Sequence, residues 1–437
     1  MRLHNFLTTL GKEWRELMAS RAFWLLLLMI GPLVGHGFIT AVNLYAEASG
    51  AGGGSAALAQ GLTPLDGILV PMLGAYDLAA AFLFPFVAIR AISSEKQSGA
   101  LKLALQLPGS LTAKTSAKGL VLLFAWFIAL LPGFAAMILW KSYGGHLYGP
   151  ETANLIGGHL LRAMLSGAIA VAAAAIAESA ASAAIVTLGF TVGTWAIDFI
   201  AAGRGGLLQQ LANYTPTAAL QFFEQGMLRL NTVIVMVVIV IAGFAVAIIW
   251  LDTGRRLRVR LFATLAVVVI LAGLMLAVGS MRTSWDLSEN RRNSFAVADE
   301  AALRGINDPL RITVYLSPED PRLTDFEQNI VKKLRRILPR LQVDYAANSQ
   351  TGLFEGAEER YGEIWYELKG QRVMERSTID EVVLEQIYRL AGINAPAPLE
   401  TEAFSGYPLA ARPRWAAGFF YAGWPLLIAF MWWLVRR

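Results

Sequence analysis

Apolar residues along the chain fall into eight long blocks separated by short polar connections: Ala22–Tyr45, Ile68–Ile92, Lys118–Trp140, Leu155–Ala177, Ser179–Ala201, Asn231–Leu251, Leu261–Met281 and Ala416–Val435. Each is about the ~20 residues that a helix needs to cross a hydrocarbon core of ~30 Å. The pattern therefore predicts eight membrane helices. Met1–Arg21 reads differently. There Phe6, Leu7, Leu10, Trp14 and Leu17 recur at near-helical spacing among charges. Such a stretch predicts an amphipathic helix on the membrane surface rather than a cleavable signal peptide. The alternative is a plain solvated helix.

Between Trp285 and Arg414 the patterning turns to that of a water-facing domain. Leu310–Leu316 alternates and is rich in β-branched residues, which predicts a strand, and Leu341–Tyr345 predicts a second. Glu363–Lys369 and Arg372–Arg376 flank Gly370-Gln371 as a hairpin would. Thr324–Leu338, entered through Thr-Asp, and Thr378–Leu390 have helical periodicity. The expected fold is a mostly α-helical polytopic membrane protein with a small α/β extracytoplasmic domain, its sheet partly parallel. The expected organisation is an interfacial helix (1–21), a six-helix region (22–258), a seventh membrane helix (259–282), the α/β domain (283–394), a Pro-rich linker (395–415) and a last membrane helix (416–437).

Composition agrees with this division. The chain is 56% hydrophobic and only 16% charged, against about 25% charged in soluble domains. Its net charge of +5 resides largely at the ends of apolar blocks, as topology signals do, so nucleic-acid binding is not expected. With strict alternation of the helices, one side collects Arg2, Lys12, Arg15 and Arg21; Lys96, Lys102 and Lys114; Arg255, Arg256, Arg258 and Arg260; and Arg436 and Arg437. By the positive-inside rule this side is cytoplasmic. Both termini are then inside, and residues 283–414 lie outside. Trp424, Trp432 and Trp433 suit an interfacial helix end.

Several chemistries are excluded. There is no cysteine, hence no disulfide and no thiolate chemistry. No G-x-x-x-x-G-K-[ST] occurs; Gly11-Lys12 is followed by Glu13, and the Gly-rich run Gly50–Ser55 lacks the lysine of a phosphate cradle. No histidine follows His159, which removes a Ser-His-Asp triad from the outer domain. Its acidic residues Glu319, Asp320, Asp325, Glu355, Glu358 and Glu359 form no catalytic constellation. His36, His146 and His159 lack partners at ligand spacing, so no metal site and no catalytic residue are expected.

Two stretches carry a family resemblance. KEWRELMASRAFW, then SEKQSGALKLALQLPGSLTAKTSAKGL after the second block, then Tyr214–Arg229 before the sixth, resemble the permease subunits of type-two ABC exporters, particularly the gliding-motility-transporter kind. Glu95-Lys96 and Gly99 match the E-K-x-x-G-T-like loop of that family; Ala100 replaces its threonine. Residues from about Leu261 to Leu390, through WDLSENRRNSFAVADEAALRGINDPLRITVYLSPEDP, resemble the auxiliary protein of the gliding-motility-type system. Asp286, Leu287, Arg292 and Ser294 fit its D-L-[ST]…R-x-[ST]-L pattern, with Phe295 in place of leucine. The chain thus resembles a permease fused to a shortened auxiliary periplasmic domain.

The resemblance implies a bacterial inner-membrane permease subunit of an ABC transporter, coupling ATP hydrolysis by a separate ATPase subunit to export. No cofactor is expected on this chain; ATP and magnesium belong to the partner ATPase. A homodimer or a related permease subunit, the lipid bilayer and a periplasmic partner complete the expected partners. The connection Ser93–Lys118 is the expected ATPase contact, with Lys12, Glu13, Glu95, Lys96, Gly99 and Lys102 as coupling residues and Leu101, Leu103, Leu105 and Leu107 as apolar contacts. Lysines that merely snorkel at the interface are the competing reading. Charges inside membrane segments are costly and usually face protein or water. Arg162, Asp198 and Glu178 are accordingly the candidate pathway or pairing residues, with Arg90 placed to snorkel. A different function stays open: an ATPase-driven mechanical or scaffolding component that acts on an envelope partner without transporting anything.

Overall fold

A computed structural model describes residues 2–51, 61–101, 103, 110–201, 212, 214–279, 281, 283–317, 320–346, 360–396 and 404–437. Lys102, Leu105, Leu107, Glu319, Glu355, Glu358, Glu359 and most of the Gly-rich run fall outside the described residues. The chain forms two compact units: residues 1–283 with 404–437, and Ser284–Ala403.

The first unit is helical. The N-terminal helix α1 (Arg2–Ala19) precedes α2 (Arg21–Gly50), α3 (Leu65–Ser98), α4 (Leu111–Ser142), α5 (Gly149–Ile176), α6 (Ala180–Ala201), a short α7 (Pro216–Glu224), α8 (Leu230–Leu251) and α9 (Leu257–Gly279). Among the described residues, eight helices, the C-terminal Ala416–Arg436 included, are long and apolar enough to cross a membrane. All eight apolar blocks are therefore spans of a multi-pass membrane protein. Their ends differ from the pattern's. The 34 residues of α3 extend to about 50 Å, longer than a bilayer core. The helix continues through Ser93–Ser98 and stops only at Gly99, whose φ of +73° is the left-handed value that glycine accepts without strain. Ser110 then caps α4, its hydroxyl accepting from the Ala113 amide at 3.1 Å. The expected loop Ser93–Lys118 is thus helical at both ends, and only 99–110 connects them.

Burial is uneven. The central windows of α3 and α5 are both 67% buried, whereas α9 buries nothing in its window. Glycine sets the closest packing. Gly31 and Gly35 on α2 leave room for Trp424 and Phe420 of the C-terminal helix; a Cβ on Gly31 would lie 2.0 Å from Trp424 Cδ1. The Trp424 indole N–H reaches the Leu27 carbonyl at 2.7 Å. From Phe404 the chain runs extended over the same unit. The Tyr407 amide donates to Leu62 O at 2.9 Å, and its ring stacks on His146 with centroids 3.8 Å apart. The second half of the expected linker is therefore packed against the bundle.

The second unit holds α10 (Val297–Arg304) and a four-stranded sheet of β1 (Leu310–Val314), β2 (Leu341–Tyr345), β3 (Ile364–Leu368) and β4 (Gln371–Glu375), in the order β2-β1-β3-β4. β2 lies parallel to β1, with Leu310 opposite Leu341; the other pairs are antiparallel. The β3–β4 turn is Lys369-Gly370, both with positive φ, as two-residue hairpins require. Helix α11 (residues 321–337) and α12 (Asp380–Ala391) supply Phe326, Ile330, Leu334, Val383 and Ile387 to a core with Ile312, Val314, Ile364 and Tyr366. The cap of α11 is Asp320, which accepts from the Arg322 amide at 2.9 Å, not Thr324. Pro321 explains the shift, since its fixed φ suits the first helical turn. Asp286 organises the loop that follows it. Its carboxylate accepts from the amides of Ser288 and Asn293 and the hydroxyls of Ser288 and Ser294.

Candidate functional site

The densest buried charge in the membrane unit lies where α1 meets the end of α3 and the start of α4. Glu13 projects from the face of α1 that also buries Leu17. Glu95 comes from the last turn of α3, and Lys118 from the second turn of α4. All three are about 95% buried. Lys118 Nζ lies 2.7 Å from Glu13 Oε2 and 3.1 Å from Glu95 Oε2, and donates to the Ala91 carbonyl at 2.9 Å. Lys12, at the half-exposed rim, lies 2.6 Å from Glu95 Oε1 and 3.2 Å from Glu16. Two ammonium groups thus bridge three carboxylates and clamp three helices together. Burying a lone charge is costly, but a fully paired and hydrogen-bonded set offsets most of that cost.

The electrostatics of α1 follow from this. Burial acts to lower the Lys12 pKa, but the Glu95 hydrogen bond and the charges of Glu95, Glu13 and Glu16 outweigh it, and the ammonium is held above the ordinary lysine value. Burial pushes the Glu13 carboxyl upward against the pull of Lys118. Carboxylate oxygens of Glu13, Glu16 and Glu95 come within 4.8 Å of one another, a spacing also suited to a cation; here Lys12 and Lys118 supply the positive charge. A cleft of about 340 Å³ opens beside the clamp, lined by Glu13, Glu95 and Lys118 and floored by Leu17, Val87 and Val121.

Lys96, next to Glu95, faces elsewhere. Its Nζ donates to the carbonyls of Ala174 and Ala175 at 2.7 Å and of Ala177 at 3.0 Å. It therefore caps the C-terminus of α5, where unpaired carbonyls and the helix dipole favour a cation. Glu178 lies in the exposed bend between α5 and α6, beyond the ends of both helices. Arg90 is exposed on α3.

A second cluster lies within the spans. Arg162 of α5, 1% exposed, pairs through Nε with Asp77 Oδ1 at 2.9 Å and donates through Nη1 to Ser166 at 3.0 Å. One turn earlier His159 is equally buried, and neither ring nitrogen has a hydrogen-bond partner among the described residues. Asp198 does not pair with Arg162; it accepts from the Thr215 hydroxyl at 2.6 Å. Of the expected residues the structure brings together Lys12, Glu13 and Glu95. It separates Lys96 from them, and Lys102 is not among the described residues. Sequence reasoning misses two partners, Lys118 and Asp77. Asp77 is a carboxylate inside the apolar block Ile68–Ile92, a placement that could signal it, whereas Lys118 stands at the first position of its block and has no such signal.

No curated protein and no solved structure matches the chain. Residues 7–233 match a family described as ABC-2 family transporter protein. This match covers just over half of the 437 residues and contains every member of both charged clusters. The helical unit built around the Lys118 clamp and the Arg162–Asp77 pair is therefore that of a permease, and the chain belongs to the ABC-2 transporter family as a membrane component of an ABC transporter.

Proposed function

We propose that this chain is the permease through which a separate ATPase drives export across a bacterial inner membrane. In this reading the clamp end of the bundle faces the cytoplasm. The observation that carries it is the ionic clamp itself. Lys12, Glu13, Glu95 and Lys118 join α1 to the ends of α3 and α4, the two helices connected by residues 99–110. A push on that connection moves a joined unit of three helices rather than one loop. Lys96 carries the same motion to α5 through its three carbonyl bonds. Gly99 and Lys102 belong to the surface that meets the ATPase, and ATP with magnesium is consumed on that partner. A second permease, identical or related, completes the pathway. The unit Ser284–Ala403 acts as a periplasmic auxiliary domain of the gliding-motility kind.

The test is co-expression with the neighbouring ATPase, followed by purification and reconstitution. The expected result is that the ATPase copurifies, that hydrolysis needs both chains, and that single cysteines at the exposed positions Arg372 and Arg376 are labelled in intact spheroplasts. Hydrolysis by the isolated permease, or labelling only after permeabilisation, overturns the reading.

A further inference from the structure

We infer that the connection between α8 and α9 is a binding site for the headgroup of an anionic phospholipid. Residues 255–260 read Arg-Arg-Leu-Arg-Val-Arg. Arg255 is neutralised locally by Asp252, at 2.7 Å. Arg256, Arg258 and Arg260 have no ion-pair partner among the described residues, and Arg260 Nε is buried without a hydrogen bond. Lys12, Lys96 and Lys118, elsewhere in the helical unit, are each met by its carboxylates or carbonyls. Three guanidinium groups within five residues repel one another and call for anions from outside the chain.

Location decides which anion. Two membrane spans, Leu230–Leu251 and Leu257–Gly279, meet at this connection, so it lies at a membrane surface. The arginines alternate with Leu257, Val259, Leu261 and Phe262, all exposed. A soluble acidic protein would meet these apolar side chains with water around them. A phospholipid offers phosphate to the guanidiniums and acyl chains to the leucines at the same depth. Helix α9 buries no residue along its length, which leaves room for chains beside it. Trp250 holds the two helices together just inside the surface, its N–H 3.0 Å from Thr264 Oγ1, so the headgroup would sit over a fixed pair. This inference does not depend on the coupling role of the clamp.

The experiment uses the full chain purified in detergent. Phosphatidylglycerol should raise its melting temperature, and phosphatidylcholine and inorganic phosphate should not. The variant Arg256→Gln/Arg258→Gln/Arg260→Gln should lose most of that shift, while Arg15→Gln on α1 keeps it. Because charge removal here can disturb insertion, the wild-type chain gives a second readout. Photoactivatable phosphatidylglycerol should crosslink within residues 250–262, and its choline analogue should not. Equal shifts from both lipids, or crosslinks scattered over all spans, overturn the inference. So does a triple variant that keeps the lipid shift and loses only its ATPase, since the arginines would then dock a protein.

Discussion

The two units of the molecule handle charge in opposite ways. Inside the membrane bundle, charges are buried in pairs drawn from distant parts of the sequence: Lys118 with Glu13 and Glu95, Arg162 with Asp77. In the sheet unit most pairs among the described residues, near or far in sequence, have at least one well-exposed partner: Arg322 with Asp320, Arg304 with Glu300, Arg372 with Glu367, Lys369 with Asp308. Lys333 with Asp380, at 2.7 Å, and Arg336 with Glu300 are the exceptions, with neither partner well exposed. The contrast follows from solvent. Water screens and solvates an exposed charge, so its partner is nearly optional. A charge within an apolar bundle has no such recourse, and its partner becomes a fixed part of the packing.

The contrast is most open to breaking at Lys118. Lys118→Met leaves two carboxylates buried beside an apolar side chain, and losing one partner of a buried pair costs about 3–5 kcal/mol. Arg372→Met on the sheet should cost at most ~1 kcal/mol. Thermal unfolding of the purified variants compares them directly. Adding Glu13→Gln to Lys118→Met should recover part of the loss, because one orphaned charge is removed. Equal costs at Lys118 and Arg372 would dissolve the distinction.

The same physics explains what can be read in the sequence. Eight spans are legible because a bilayer demands length and apolarity at once, and strands β1 to β4 because alternation survives in LRITV and IWYEL. The clamp is half legible. Glu13 and Glu95 stand out through the family-like segments, but their shared cation Lys118 lies at the edge of an apolar block, where it reads as a topology signal. Asp77 carries a signal, as a lone carboxylate inside the apolar stretch VPMLGAYDLAAA, but its partner is not named by it. Lys96 is legible as important but not in its role, since capping by carbonyls of Ala174, Ala175 and Ala177 leaves no side-chain pattern. Pairing over 85 positions, as between Asp77 and Arg162, has no local trace.

A smaller effect concerns how the membrane bundle uses space. In the membrane bundle Gly31 is required for room, because a Cβ there would meet the indole of Trp424. Gly31→Ala should cost about 1–3 kcal/mol, the range for overpacking a filled interior, and should loosen the C-terminal helix. Protease sensitivity of residues 404–415 would report that loosening. A methyl group on Gly74 of α3 would meet nothing within 4 Å, so Gly74→Ala should leave both stability and cleavage unchanged. Similar losses at the two sites would mean that the α2–Trp424 contact is not tight in solution.

The smallest effect belongs to the sheet unit and concerns acid. Asp320 caps α11 and accepts hydrogen bonds from Arg322 and from the Tyr361 hydroxyl, the latter at 2.8 Å. The Arg322 side-chain bond is the largest influence, burial opposes it, and the carboxyl falls from an ordinary 3.8 to about 2. A carboxyl whose folded pKa is depressed binds fewer protons folded than unfolded. Its contribution is present above the unfolded value and fades as pH falls through the folded one, here between about pH 4 and pH 2. Other carboxylates titrate in the same window, so the informative quantity is a difference between proteins. Hydrogen exchange of peptides from residues 321–337 in the full chain should quicken more on acidification in the wild type than in Asp320→Asn, which has no proton to gain there. The Asn side chain can still cap the helix, so the two proteins should differ little near neutral pH. Parallel curves for wild type and variant would show that Asp320 holds α11 by its shape and not by its charge.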